Sequence, residues 1–134
     1  MATRDLLGDD RLSPEARAVF DDIRATRGTD YVNNFWRALA HDPETLRATW
    51  ERLKRLMGPG ALDPLTREMI YMAVSIANNC AYCVHSHTAA ARAKGMSEAQ
   101  YGELLAVVGL AAKTNHLANA MQVPVDAAFE RSQG

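Results

Sequence analysis

Apolar residues recur along most of the chain at intervals of three and four, the period of an α-helix. Strict alternation over β-branched runs is missing. Ser13-Pro14-Glu15 reads as N-cap, first helical position and acidic first turn of a segment over residues 13–24. Ala16, Val19, Phe20 and Ile23 form its apolar stripe, and Gly28 ends it. A second helix is predicted over residues 30–40, with Tyr31, Phe35, Trp36 and Leu39 on one side. Asp42-Pro43-Glu44 opens a third by the same cap logic. It runs to Met57 behind Leu46, Trp50 and Leu53, and Gly58-Pro59-Gly60 is a firm stop.

Asp63-Pro64 starts the next helix, over residues 65–77. Met69, Ile70, Met72, Ala73 and Ile76 make it apolar on more than one face, so it is expected to be central or shared with another subunit. Asn78-Asn79 interrupts it, both being poor helix formers and good caps. Residues 80–94 resume as an alanine-rich helix that stops at Gly95. Ser97 caps a last long helix reaching Met121, closed by Val123-Pro124, with a short turn or helix over residues 126–131. No internal repeat or low-complexity segment is present. The pattern predicts an all-α fold: a compact bundle of six to seven helices, successive helices packing as neighbours. It is expected to form a single domain over residues 1–134 with its core at about 31–126, the N-terminal extension 1–12 and the tail 132–134 being loose.

Composition changes this picture little. The 134 residues are 48% apolar and 23% charged, the balance of a folded globular chain. A net charge of −1 argues against an electrostatic nucleic-acid binder. No apolar run approaches the length of a membrane helix, and the charged N-terminus lacks a signal peptide's apolar stretch, so a cytoplasmic location is expected. The two cysteines are too few for a disulfide scaffold. They lie three apart, and in a reducing compartment that spacing points to catalysis or metal binding.

The informative stretch is NNCAYCVHSHTAAARAKG. Cys80, Cys83 and His87 fall at i, i+3 and i+7, on one face of a helix. The two sulfurs are one turn apart, close enough to interchange dithiol and disulfide with little backbone change. His87 is one turn beyond Cys83, where an imidazole can take the thiol proton and stabilise the nucleophilic thiolate. Cys80, following the break at Asn78-Asn79, is expected in the first turn of its helix, where free N–H groups and the macrodipole favour a thiolate. The helix terminus thus favours Cys80 as the more acidic thiol and histidine proximity favours Cys83, which leaves the attacking sulfur open. Glu68, on the preceding helix among Met69 and Ile70, needs a partner if it is buried. With the two helices folded together it can face Cys80, Cys83 and His87, orienting the imidazole or relaying protons.

Glu68, eleven residues, Cys80-x-x-Cys83, three residues, His87: this pattern resembles the core of the alkylhydroperoxidase D proteins, within the wider carboxymuconolactone decarboxylase-like family. The ALAHDPETLRA segment, LDPLTREMIYMAVSIANNCAYC and KGMSEAQ are similar too, so the resemblance spans residues 31–126. It implies an all-helical protein assembling as trimers or hexamers. It further implies a thiol-dependent antioxidant peroxidase or disulfide reductase without a cofactor, acting on a hydroperoxide or disulfide. Cys83 would be peroxidatic, Cys80 resolving, and His87 with Glu68 the proton relay. The implied electron donor is an external dithiol, a lipoyl-bearing protein or a peroxiredoxin. Tyr82 stands where the best-known members carry a histidine before the second cysteine. It can donate a hydrogen bond, but a phenol with an ordinary pKa near 10 is a poor base. The decarboxylase branch lacks the dithiol.

Blander readings compete. Cys80 and Cys83 can be small buried hydrophobes, and Glu68 a surface carboxylate paired with Arg67 or Lys94. His85 is expected to point away from the thiol face, and His41 and His116 to be structural or exposed. Trp36 and Trp50 read as packing, Met69, Met72, Met96 and Met121 as core filling, and Arg47, Arg52, Lys54 and Arg55 as a solvated face. Two other functions remain open. A metal module would use Cys80, Cys83 and His87 with Glu68, His41 or His116, although three ligands on one straight helical face suit a tetrahedral ion poorly. A non-enzymatic oligomeric adaptor would carry an inert dithiol, and pure thiol–disulfide exchange would dispense with the peroxide.

Overall fold

The structure, a computed structural model, describes residues 1–130. It contains six α-helices and two short 3-10 turns, and among the described residues no strand. The helices are α1 (Pro14–Arg27), α2 (Asn34–Leu39), α3 (Pro43–Leu56), α4 (Pro64–Ala77), α5 (Ala81–Ala93) and α6 (Glu98–Ala120). The chain separates into two compact units, Met1–Ala61 and a second beginning at Leu62. Four helices begin where the cap signals place them. Ser13, Asp42, Asp63 and Ser97 each accept a hydrogen bond from the backbone N–H three residues on. At Ser97 the Gln100 side chain returns the bond to the Ser97 N–H at 2.8 Å, completing a capping box.

In the first unit α3 packs on α1 and α2 around Phe20, Ile23, Val32, Trp36, Leu46 and Trp50, all buried. Trp36 and Trp50 meet edge to face at 5.5 Å, as packing rather than as a cage. The Trp50 indole N–H donates to Asp22 at 2.7 Å, and Lys54 donates to the same oxygen, so the basic run on α3 is partly engaged. Two expectations need correcting here. The second helix begins at Asn34, because residues 30–33 spend their polar groups locally: the Asp30 carbonyl accepts from Arg24 at 2.8 Å, and the Tyr31 N–H bonds to Thr29 Oγ1. Val32 turns into the core while Tyr31 is exposed. The N-terminal extension, expected to be loose, is tied down from residue 7. Leu7 is buried, and Asp9 is paired with both Arg24 and Arg37.

In the second unit α4 packs against α5 and α6 around Met72, Ala91, Met96 and Leu104, with Leu65, Met69, Ile76, Tyr101 and Val108 beside them. Met121 is exposed, unlike the three methionines of this cluster. α6 applies one row to the core, Tyr101, Leu104 and Val108, while Leu105, Val107, Leu110 and Leu117 remain exposed. The short turn at Ala127–Phe129 stands where one was expected; the expected tail 132–134 lies outside the described residues.

The α4–α5 connection is a Schellman motif. Asn79 takes a left-handed φ of 57°, its N–H bonds to the Ile76 carbonyl at 3.1 Å, and the Cys80 N–H reaches the Ser75 carbonyl at 3.0 Å. The same device closes α5. Gly95 has φ 98°, its N–H bonds to Arg92, and Met96 bonds to Ala91 while packing on it. Asparagine tolerates the left-handed region where most L-residues pay about 1–2 kcal/mol. Asn79→Ala is therefore expected to lower the unfolding free energy by about 1 kcal/mol, measured by chemical denaturation, while Asn79→Gly leaves it near the parent value.

Candidate active site

Because Cys80 is the last residue of the Schellman turn, it is also the N-cap of α5. Its Sγ accepts the Cys83 backbone N–H at 3.2 Å. The sequence placed it inside the first turn; the turn geometry sets it one position earlier, as the cap itself. Cys80 and Cys83 are joined in a disulfide. The bond has the positive end of α5 behind it, which favours sulfur as an anion once it is reduced.

One turn on from Cys83, His87 turns toward α4. Its Nδ1–H donates to Glu68 Oε2 at 2.8 Å. The other oxygen, Oε1, accepts from the Lys94 ammonium at 2.7 Å. Glu68 is buried, its side chain only 6% exposed. Burial alone would push its carboxyl up. The hydrogen bonds from His87 and Lys94, with the ammonium's charge, outweigh that and hold it below the usual value of 4.5. A carboxylate only accepts, so the proton of the 2.8 Å contact belongs to Nδ1 and a neutral His87 ring keeps its lone pair on Nε2. Tyr71 lies flat on the imidazole, with ring centres 3.7 Å apart and planes 17° from parallel. Ser75, one turn beyond Tyr71, is buried and donates to the Tyr71 carbonyl at 2.6 Å.

Two complementary faces therefore meet. Cys80, Cys83, His87 and Lys94 repeat along α5, and Glu68, Tyr71 and Ser75 repeat along α4. Glu68 is not the surface carboxylate of the blander reading, although Lys94 is indeed one partner. Tyr71 was overlooked; its place three residues after Glu68 was the available signal. His85 and His116 are exposed, and the His41 ring, in the first unit, contacts the Asp5 carbonyl. Tyr82 is 43% exposed beside the disulfide. The metal reading asks for groups already engaged elsewhere, the sulfurs with each other and His87 with Glu68. Among the described residues no group of three His, Cys, Asp or Glu side chains is arranged to hold an ion.

Residues 43–126 match the model of the carboxymuconolactone decarboxylase family. The chain belongs to this family. The solved alkylhydroperoxidase AhpD core from Rhodospirillum rubrum is 67% identical, and the match covers 96% of this chain and 97% of that one with a TM-score of 0.93. No curated protein matches the chain. The family assignment and this neighbour agree with the resemblance drawn from the dithiol segment, and with an all-helical fold. Among the described residues no helix is long and apolar enough to cross a membrane.

The depressed Glu68 carboxyl makes a stability prediction with a definite sign. Its contribution is complete above the unfolded value and is lost as pH falls through the lower folded one. Glu68→Gln is expected to unfold about 1–3 kcal/mol more easily at pH 7. The gap to the parent protein should narrow as pH falls below 4.5 and go on closing through the lower folded value, as followed by denaturant titration across pH.

Proposed function

We propose that this family member is an antioxidant dithiol oxidoreductase that reduces hydroperoxides, or disulfides, through Cys80 and Cys83. The observation that carries this reading is the Cys80–Cys83 bond at the N-terminus of α5, one turn from a His87 held by Glu68. The likeness to the alkylhydroperoxidase core supports it.

In the reduced protein, His87 Nε2 takes the Cys83 proton and the thiolate attacks the terminal oxygen of ROOH. The O–O bond breaks, Cys83 becomes a sulfenic acid, and the leaving alkoxide receives a proton to give ROH. Cys80, stabilised as a thiolate by the Cys83 N–H and the helix terminus, attacks the Cys83 sulfur. Hydroxide leaves, takes up a proton as water, and the disulfide forms. An external dithiol, carried by a lipoyl group or a peroxiredoxin, restores the pair by exchange and becomes oxidised itself. A reducing compartment such as the cytoplasm sustains this cycle. The apolar residues exposed along α6, Leu110 at 63% among them, support a homo-oligomer, trimer or hexamer.

Mass spectrometry of the reduced protein after stoichiometric hydroperoxide is expected to show loss of two hydrogens across the pair. Cys80→Ser should accumulate a Cys83 sulfenic acid, Cys83→Ser should not react, and His87→Gln should slow oxidation about 100-fold. An unaltered wild-type dithiol in folded protein overturns the peroxidase reading. Oxidation by a disulfide substrate in the same sample would favour exchange alone.

Sedimentation velocity is expected to give a species larger than 14.7 kDa. A monomer across the micromolar range would remove the oligomer from the proposal.

A further inference from the structure

Lys94 is the C-cap of α5, at the opposite end of the helix from the disulfide, yet its ammonium reaches the carboxylate that holds His87. The two partners divide the carboxylate between them: Oε2 takes the imidazole and Oε1 the ammonium. Lys94 lies on the wetter side, its side chain 36% exposed against 6% for Glu68, so it closes the carboxylate off from solvent. The backbone that carries it is held as well. The Lys94 N–H bonds to Ala90 and Ala91, and the left-handed Gly95 follows at once. A cation is also favoured at this negative end of the helix.

Charge balance gives the contact its meaning. A lone buried carboxylate beside an imidazole favours the protonated ring, which has no lone pair left to accept a thiol proton. An ammonium on the second oxygen offsets that field. We propose that Lys94 is a positioning residue of the thiol relay, holding Glu68 as an anion aimed at Nδ1 so that His87 keeps Nε2 available as a base. This rests on the dithiol reading above and adds to it a residue two turns beyond the histidine.

Other titratable groups on these helices have contacts of their own or are exposed. On α4, the Arg67 guanidinium donates to the Leu62 carbonyl and Tyr71 stacks on His87. On α6, Glu98 pairs with Arg92, which also lies over the Tyr101 ring, and Glu103, Lys113 and His116 are exposed. His87 and Lys94, both from α5, are the groups that hydrogen-bond Glu68 and keep it ionised.

The test is the pH profile of peroxide-driven disulfide formation in the full chain. Loss of the Lys94 charge leaves the carboxylate alone beside the imidazole, so the ring should hold its proton to higher pH and the acid limb of the profile should move upward. Lys94→Met is expected to shift that limb by about one pH unit or more, and Lys94→Arg to restore it. A role confined to folding would lower the rate at every pH without moving the limb. If Lys94→Met does not fold, Lys94→Gln is read in the same way. The ¹³C titration of the Glu68 carboxyl, which needs no turnover, should also move upward once the ammonium that lowers it is gone. Coincident profiles and coincident Glu68 titrations in wild type and Lys94→Met overturn this inference alone. A wild-type dithiol that hydroperoxide leaves untouched at every pH overturns the parent reading, and this one with it.

Discussion

The buried carboxylate of Glu68 is the constraint on which the second unit depends. Withdrawing a carboxylate from water costs several kcal/mol unless its lone pairs are satisfied and its charge is met. Both requirements are met from α5, by an imidazole N–H and an ammonium at 2.8 and 2.7 Å. These partners lie seven residues apart on α5, so one residue of α4 fixes two successive stretches of its neighbour. The register of the helix pair, the tautomer of His87 and the orientation of its ring follow from that single anion, with Tyr71 stacked on the imidazole to hold its plane.

The sulfurs owe their position to the other end of the pair. The Schellman turn at Asn78-Asn79 hands the chain from α4 to α5 without a spare residue, because Cys80 closes one helix with its N–H and caps the next with its sulfur. The two cysteines are therefore chemically unequal. Cys80 has a backbone donor and the helix terminus; Cys83 has a histidine one turn away. A sulfur held as a thiolate by fixed dipoles is ready to attack an oxidised neighbour or to leave in exchange, and one beside a base is deprotonated as it reacts. The ambiguity that the sequence left between the two thiols becomes a division of labour under the proposed cycle.

Much of this arrangement was legible before the fold. Caps at Ser13, Asp42, Asp63 and Ser97 depend on side chains bonding three residues along, a local matter, and each marks a helix start. The i, i+3, i+7 spacing of Cys80, Cys83 and His87 is local as well. What escaped depended on contacts between helices or on backbone detail. Tyr71 has no visible role until α5 lies against α4. Lys94 gained weight only when the carboxylate beneath it proved to be buried. The N-cap role of Cys80 follows from the left-handed φ of Asn79, and an Asn-Asn break is equally compatible with a helix starting one residue earlier. The shortness of α2 came from side-chain and carbonyl bonds at residues 29–31 that outcompete helical pairing.

A disulfide spanning three residues is a poor staple. The loop-entropy relation assigns about 2 kcal/mol to closing so short a loop, the low end of its range. Even that overstates the effect here, since the helix N-terminus already holds the two residues together through the Cys83 N–H. A protein that needed the bond for stability would gain more by joining distant segments, and the packed faces of α4 and α5 do that without it. Breaking the Cys80–Cys83 bond therefore disturbs little beyond one helical turn. The His87–Glu68–Lys94 chain stands on other contacts and can persist in both redox states. A bond that constrains so little of the fold, beside a hydrogen-bonded chain that does not depend on it, suits the proposed cycle, in which it is broken and remade.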